Sequence, residues 1–330
     1  MGQQETMKAI VAHEYGPPEN VLELGEVARP VIDDDQVLVQ VKAISVHPGD
    51  WHLIEGTPYL VRIMGFGLRR PKNEVPGTEI AGQVEAIGKN VTRFQTGDEV
   101  YGEVSKAYAE YVAAPEDLLA LKPANLTLEQ AAAVPVSAFT ALQGVRDKGE
   151  VKPGQKVLVI GASGGVGTYA VQIAKSYGAE VTGVCSTRNV EMVRSIGADH
   201  VIDYTKEDIL ESGQRYDVIL DIAGSRPLSI LRRALTPKGT LVIIGGEGGG
   251  NWFGAVSRTL KALLLSPFVG QRLRAYVASA NKEDLETLTG LIESGEVTPV
   301  IDRTMEFAQI PEALSYLQEG HAQGKVVISV

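Results

Sequence analysis

The residues whose types and spacing best suit chemistry are the glycines that follow Lys156–Ile160, in the order Ala162-x-Gly164-x-x-Gly167. A short apolar run without polar alternation precedes them, as expected of a strand buried on both faces. Val166, Ala170, Ile173, Ala174 and Tyr177 follow at helical spacing. Strand, glycine turn and helix in that order are the context a dinucleotide fingerprint requires. Gly164 lets the backbone approach a pyrophosphate, and Gly167 lets the helix pack close to its strand. The helix N-terminus offers phosphate its unpaired N–H groups and a partial positive charge. Ala162, Ser163, Gly164, Gly165, Val166 and Gly167 are therefore the candidate pyrophosphate residues. The next expected strand, Glu180–Val184, leads into Cys185-Ser186-Thr187-Arg188. No carboxylate is there to hold a ribose 2′-OH, while two hydroxyls and a guanidinium suit a phosphate dianion. The expected ligand is NADPH rather than NADH. A plainer reading, with Ser186 as a helix cap and Arg188 solvated, is compatible with it.

A second polar set, Ser45-Val46-His47-Pro48-Gly49-Asp50-Trp51-His52, is read as a loop after the alternating strand Gln36–Ile44. His47, Asp50 and His52 are close in sequence, but spacing in a loop does not supply the convergent geometry a metal needs. They are read as polar residues lining a cleft.

The elements that must position these residues change character at Pro123. Before it the chain is strand-dense, with Met7–Ala12, Leu22–Val27, Gln36–Ile44, Ile80–Ile87 and Ala107–Ala113, consistent with a barrel-like β domain. After it come a helix at Thr127–Val134, with Thr127 and Gln130 as a capping box, and another at Val136–Arg146. Expected strands are Val157–Ile160, Val181–Val184, Val201–Ile202, Val218–Ile222, Thr240–Ile244 and Leu273–Val277. Helices are expected at Gly165–Tyr177, Asn189–Ile196, Thr205–Leu210 and Leu228–Leu235. That alternation predicts a doubly wound parallel sheet. Ala223, Gly245 and Gly246 follow strand ends, where such sheets bind ligands. The expected division is 1–125, 126–270 and 271–330.

Composition narrows the function classes. A net charge of −10 argues against a nucleic-acid partner. The single cysteine, Cys185, excludes an internal disulfide and a multi-cysteine zinc site, and fits a reducing, cytoplasmic setting. Trp252–Val269 is interrupted by Arg258, Lys261 and Pro267, so no membrane span is expected. Met1-Gly2 with Thr6 matches the loose acylation pattern M-G-x-x-x-[ST], and reads equally as a lead before the strand at Met7.

Several segments together resemble one family. They are Val75-Pro76-Gly77-Thr78-Glu79-x-Ala81-Gly82, Gly97-Asp98-x-Val100-Tyr101-Gly102 and Ala131-Ala132-Ala133-x-Pro135 through Thr140-Ala141. The glycine fingerprint, Gly197-Ala198-Asp199-x-Val201-Ile202-x-Tyr204, Asp217-Val218-x-x-Asp221 and Gly320-His321-Ala322-x-Gly324-Lys325 complete the set. The chain resembles the zinc-free medium-chain dehydrogenase/reductases, in their quinone and enone reductase branch. The resemblance implies an α/β fold, a GroES-like β-rich catalytic domain plus a Rossmann doubly wound parallel sheet, with a cleft between them and a homodimer built on a sheet edge near Arg272–Val277. It implies a small quinone or enone substrate.

It also implies site roles. Ser186, Thr187, Arg188 and Tyr204 match 2′-phosphate and adenine contacts, Thr140 a threonine near the nicotinamide, and Lys325 a further cofactor residue. His47 and Asp50 fall where many zinc-free relatives carry Asn and Asp. His47 either donates to the substrate oxygen or is a hydrogen-bonded loop histidine. Tyr59 is a further cleft candidate. Zinc-dependent relatives hold their metal at positions matched here by His47, Thr78 and Val136, and only His47 could ligate, so no metal is expected. The tyrosine that some enone reductases use as an acid has no counterpart in Gly246–Trp252. The alternatives are an NADPH-binding sensor with little catalysis and an alcohol-dehydrogenase-type carbonyl reductase. Without a Lewis acid, hydride transfer to a conjugated acceptor is the expected chemistry, because its charge delocalises onto an oxygen that hydrogen bonds can stabilise.

Overall fold

The computed structural model describes residues 5–245 and 256–330. Gly2 of the acylation pattern, Gly246 and the residues before Val256 in the Trp252–Val269 stretch lie outside the described residues. The chain forms two compact units, one of Met1–Val136, Ala280–Ser294 and Ile301–Val330, the other of Ser137–Ser279 and Gly295–Val300.

The first unit begins with β1 (Thr6–Ala12) antiparallel to β2 (Leu22–Ala28). β3 (Gln36–Val46) follows the predicted alternation only at Gln36, Gln40 and Lys42, and buries nearly everything else. It is flanked by β4 (Glu79–Ile87) and, over its first half, by β6 (Tyr111–Pro115). β5 (Glu99–Glu103) joins β4 and β7 (Leu119–Leu121) to β5. The strand expected at Ala107–Ala113 starts later than predicted, because Gly77 and Pro76 carbonyls take the N–H groups of Ala107 and Tyr108 in a turn (3.1 and 3.0 Å).

The loop expected around Asp50 is a helix, Pro48–Glu55. The signal was present in the sequence. Pro48 fits the first turn, Gly49 N–H donates to His47 Nδ1 (3.1 Å), and His47 N–H donates to the Asp50 carboxylate (3.1 Å). Gly56 at φ 65° ends it in the left-handed conformation common past a helix C-terminus.

The second unit holds β8 (Lys156–Ile160), β9 (Glu180–Cys185), β10 (His200–Asp203), β11 (Tyr216–Asp221), β12 (Leu235–Ile243) and β13 (Arg272–Ala275). All pair in parallel, in the order β10-β9-β8-β11-β12-β13. The order reverses beside β8, and in such sheets the ligand crevice lies at that switch point. Leu158, Ile160, Ile219 and Leu241 form its core. The helix predicted at Thr205–Leu210 does not form. Asp203 Oδ1 accepts from the Thr205 N–H (3.1 Å) and hydroxyl (2.7 Å), which holds the chain in an Asx turn instead. The predicted Val136–Arg146 helix ends at Gln143 and widens into a π turn, Gly144–Gly149.

β14 (Ile301–Glu306) and β15 (Lys325–Ser329) return to the first unit. They complete a seven-stranded sheet, β14-β15-β3-β4-β5-β7, with β6 on β3. β15 lies antiparallel to the end of β3, which brings Lys325 to the level of Val46 and His47.

Candidate active site

In the first unit, one end of β3, the helix Pro48–Glu55, the start of β4 and the start of β15 bring polar side chains together. Gly77 makes this possible: at φ 89° a Cβ there would lie 2.1 Å from the Tyr108 ring, so Tyr108 can close over the turn. The Tyr108 hydroxyl donates to Asp50 Oδ2 (2.9 Å). Because Gly49 N–H donates to His47 Nδ1, the ring proton of a neutral His47 sits on Nε2, which lies 2.7 Å from Thr78 Oγ1 and 3.4 Å from Asp50 Oδ1. The result is a directed set in which His47 supports Thr78, while Asp50 takes hydrogen bonds from Tyr108 and the His47 backbone.

Burial sets the protonation of both ionisable members. It pushes His47 down to about 4, helped by the Lys325 ammonium and opposed by Glu79. It pushes Asp50 up to about 6, against the Tyr108 and His47 backbone hydrogen bonds and the Lys325 charge, which favour the carboxylate. Glu103, the cross-strand partner of Glu79, is raised to about 7 by burial and by the carboxylates of Glu79 and Asp50.

Asp50 and Thr78 line a cavity of about 270 Å³, whose other walls include Leu53, Phe66, Lys72 and Lys106. Asp50 is 1% exposed, and its Oδ1 has no hydrogen-bond partner among the described residues. An orphaned buried acceptor is costly unless something else meets it. Gly65, Phe66, Pro71 and Lys72, from the segment that follows the helix Pro48–Glu55, also line this cavity. Tyr59 is not among the lining residues; the Arg62 guanidinium stacks on its ring at 4.8 Å.

The residues at the zinc-matching positions do not furnish a zinc donor set. His47 Nε2 faces the Thr78 hydroxyl, and Val136 offers only its backbone N–H, which donates to Glu79 Oε1 (2.8 Å). Among the described residues no group of three His, Cys, Asp or Glu could hold a metal. A positive charge stands there nonetheless. Lys325, 2% exposed, donates from Nζ to Glu79 Oε2 (2.7 Å). Its ammonium, read from the sequence as a cofactor contact, is thus engaged by a buried carboxylate that the sequence reading left without a partner.

The second unit holds the glycine turn expected to receive the cofactor. The helix Gly165–Ser176 has no side-chain cap at Gly164, so its first N–H groups face outward from the turn. The glycines divide the labour. A Cβ on Gly167 would lie 2.0 Å from the Gly161 carbonyl oxygen, so the helix could not reach its strand. A Cβ on Gly164 would meet nothing closer than 3.7 Å, so the space beside it is open. Ala223 packs on Gly161 from β11, and Gly245 is held against the Ile222 carbonyl. Thr140 accepts a hydrogen bond from the Tyr276 hydroxyl through its carbonyl. Gly164→Ala is therefore expected to melt like wild type while raising the Kd for NADPH roughly tenfold or more, as for loss of one backbone–phosphate hydrogen bond. Gly167→Ala is expected to lower the melting temperature itself. Calorimetry with cofactor titration separates the two.

At the end of β9, Ser186 sits at the N-cap position of the short helix Thr187–Asn189 and accepts the Asn189 N–H through its carbonyl (2.9 Å), without a side-chain cap bond. Asn189, 4% exposed, ties Ser186 Oγ (3.4 Å) to Ser163 Oγ (2.9 Å) in the glycine turn. Thr187 is engaged elsewhere, its hydroxyl donating to Asp203 Oδ2 (2.6 Å). That carboxylate also receives Thr205 and Lys206, and the Thr187 hydroxyl above all holds its pKa far below the usual range. Arg188 and Tyr204 are exposed beside it. The sequence reading missed Asp203, although Asp203-x-Thr205 after a strand is an Asx-turn signature. Tyr108 and the Glu79–Lys325 pair carried no local signal.

Residues 33–124 match the alcohol dehydrogenase GroES-like domain family, and residues 196–328 the zinc-binding dehydrogenase family. The chain is 36% identical over 336 residues to an NADPH-dependent alkenal/one oxidoreductase of Arabidopsis thaliana, covering 98% of this chain and 79% of that protein. It is 34% identical to a 2-methylene-furan-3-one reductase of Solanum lycopersicum, with the same shares covered. Among solved structures, the quinone oxidoreductase from Coxiella burnetii superposes with a TM-score of 0.86 at 28% identity, covering 99% of this chain and 100% of that one. With relatives this similar along nearly its whole length, and with both units folded as the segment matches imply, the chain belongs to the quinone and enone reductase branch of the medium-chain dehydrogenase/reductase family.

Proposed function

We propose that the protein is an NADPH-dependent reductase of small conjugated carbonyls, α,β-unsaturated carbonyls or quinones, that works without a metal. The observation that carries this reading is the orphaned, buried Asp50 Oδ1 beside Thr78 in a cavity near the buried Lys325 ammonium, where Thr78 and Val136 offer no metal-ligating side chain. The relatives' NADPH and alkenal or enone chemistry supports it. When bound, NADPH supplies a hydride to the electron-poor carbon of the acceptor. Negative charge then moves onto the acceptor oxygen. The Thr78 hydroxyl, itself backed by His47 Nε2–H, donates to that oxygen, and the two bonds strengthen each other. Asp50 delivers the balancing proton, for which a carboxyl raised to about 6 is suited. Thus one hydride and one proton add across the conjugated system.

Arg188 and Ser186 are proposed to take the 2′-phosphate, the first turn of the helix Gly165–Ser176 the pyrophosphate, and Thr140 and Tyr204 the two rings. The reading includes a homodimer across the free edge of β13, near which Phe268 and Val277 are 85% and 94% exposed. It also includes a cytoplasmic setting, in keeping with the lone buried Cys185 and with no described helix long and apolar enough to cross a membrane.

An acceptor panel of quinones, enones and simple alcohols, run with NADPH and NADH on wild type and Arg188→Ala, tests it. Turnover of enones or quinones with NADPH is expected. Arg188→Ala should weaken NADPH by about 1–3 kcal/mol and leave NADH nearly untouched. High turnover of simple alcohols with NADP, or tight NADPH binding with no acceptor turned over, would sink it.

A further inference from the structure

The cavity beside Asp50 has a charge pattern that the reductase reading does not use. Its walls are largely apolar, with Leu53, Ile54, Phe66 and Val75, and Asp50 is the only carboxylate among its lining residues. Two lysines line it as well, Lys72 and Lys106. Both are exposed, and neither side chain has an ion pair or hydrogen bond among the described residues, in a chain whose net charge is −10.

Lys106 is also held in an unfavourable backbone conformation. Only Lys106 (φ 65°) and Glu150 (φ 51°), among described non-glycine residues, have positive φ. An L-residue is strained in that region, and glycine avoids the strain. Glu150 has a reason within the chain, since its carboxylate receives Arg272 (2.8 Å) and Arg274 (2.7 Å). Lys106 has no such partner. Its ammonium is presented at the rim of a cavity instead, and strain of this kind collects where a side chain meets a ligand.

We propose that this cavity selects small acceptors that carry a carboxylate as well as the conjugated carbonyl, with Lys106 and Lys72 receiving the carboxylate. This rests on the reductase reading and adds its substrate class. The cavity, at about 270 Å³, sits just under the range of ~300–1,000 Å³ of drug-sized sites, which suits a short acceptor. Both lysines are exposed, so the pairing with the anion is modest and screened by salt.

The test uses 6-oxo-7-octenoate and its methyl ester, in which the methylene chain insulates the enone from the charge. Wild type is expected to favour the acid over the ester in kcat/KM by roughly tenfold, through KM, at low ionic strength, and less at high salt. Lys106→Gly should lower that ratio several-fold without lowering the melting temperature, and Lys72→Met/Lys106→Gly should bring it to about one. A ratio near one in wild type, a ratio that survives in the double variant, or a ratio that falls only together with the melting temperature would overturn the proposal. If the ester is reduced without any preference for the acid, this inference alone fails. If neither is reduced, this inference fails, and the reductase reading fails with it only when the quinones and other enones of the panel are not turned over either.

Discussion

Asp50→Asn is expected to lower kcat by about 10²–10⁴, the range for removing a general acid, with the Kd for NADPH unchanged. The variant keeps an acceptor for the Tyr108 hydroxyl and the His47 N–H, so the helix start survives. What it loses is the proton. In wild type, kcat should be flat below pH ~6 and fall about tenfold per unit above it, because only the protonated fraction of Asp50 can donate. In Asp50→Asn that limb should vanish. A limb that persists would place the proton elsewhere, with Glu103, raised to about 7, as the next group to replace.

The same substitution has a stability signature with a definite sign. Asp50 is raised above its unfolded value of 3.8, so its contribution is present at low pH and is lost as pH rises through about 6. His47 is lowered from 6.5, so it contributes above that value and loses as pH falls through about 4, which partly offsets Asp50 in wild type. Removing Asp50 removes one side of that balance. Relative to wild type, Asp50→Asn should therefore gain up to about 3 kcal/mol between pH 4 and 7. Thermal scans of both proteins across that range measure the difference.

How far the sequence carried the reading depends on whether an interaction is local. The parallel sheet was legible because fully buried strands and glycine turns leave runs and punctuation in the chain. The strand–turn–helix unit was legible because Gly167 acts on backbone a few residues away. The helix at Pro48–Glu55 was hard to read because its cap in His47-Pro48-Gly49-Asp50 is a histidine, outside the Ser, Thr, Asp and Asn that usually mark a helix start. Tyr108 on Asp50 and Lys325 on Glu79 are pairings across 58 and 246 residues. Nothing in the local pattern of either partner announces them; they exist because β15 comes to lie beside β3, and because Gly77 lets a tyrosine close over a turn.

That long-range pair supports the second large effect. Lys325→Met leaves the Glu79 carboxylate, 0% exposed, without its cation, and breaking a buried pair in this way costs about 3–5 kcal/mol. Glu79→Gln, which strands the ammonium instead, should cost a similar amount. Removing both charges together should not. In Glu79→Gln/Lys325→Met the amide oxygen still accepts from the Val136 N–H, and neither member of the pair is left as a buried charge without its partner. The double variant should regain most of the lost stability, with a coupling of about 2 kcal/mol or more by thermal or denaturant unfolding. Additive losses would mean that the pair is not the unit. If stability returns, catalysis need not, because Lys325 also lowers the pKa of both Asp50 and His47. Without that ammonium the Asp50 carboxyl should rise further, and the alkaline limb of kcat should move to higher pH in the double variant. A stable protein with a displaced limb would show that the buried cation is there to set the acidity of its neighbours, and that the fold could be held as well without it.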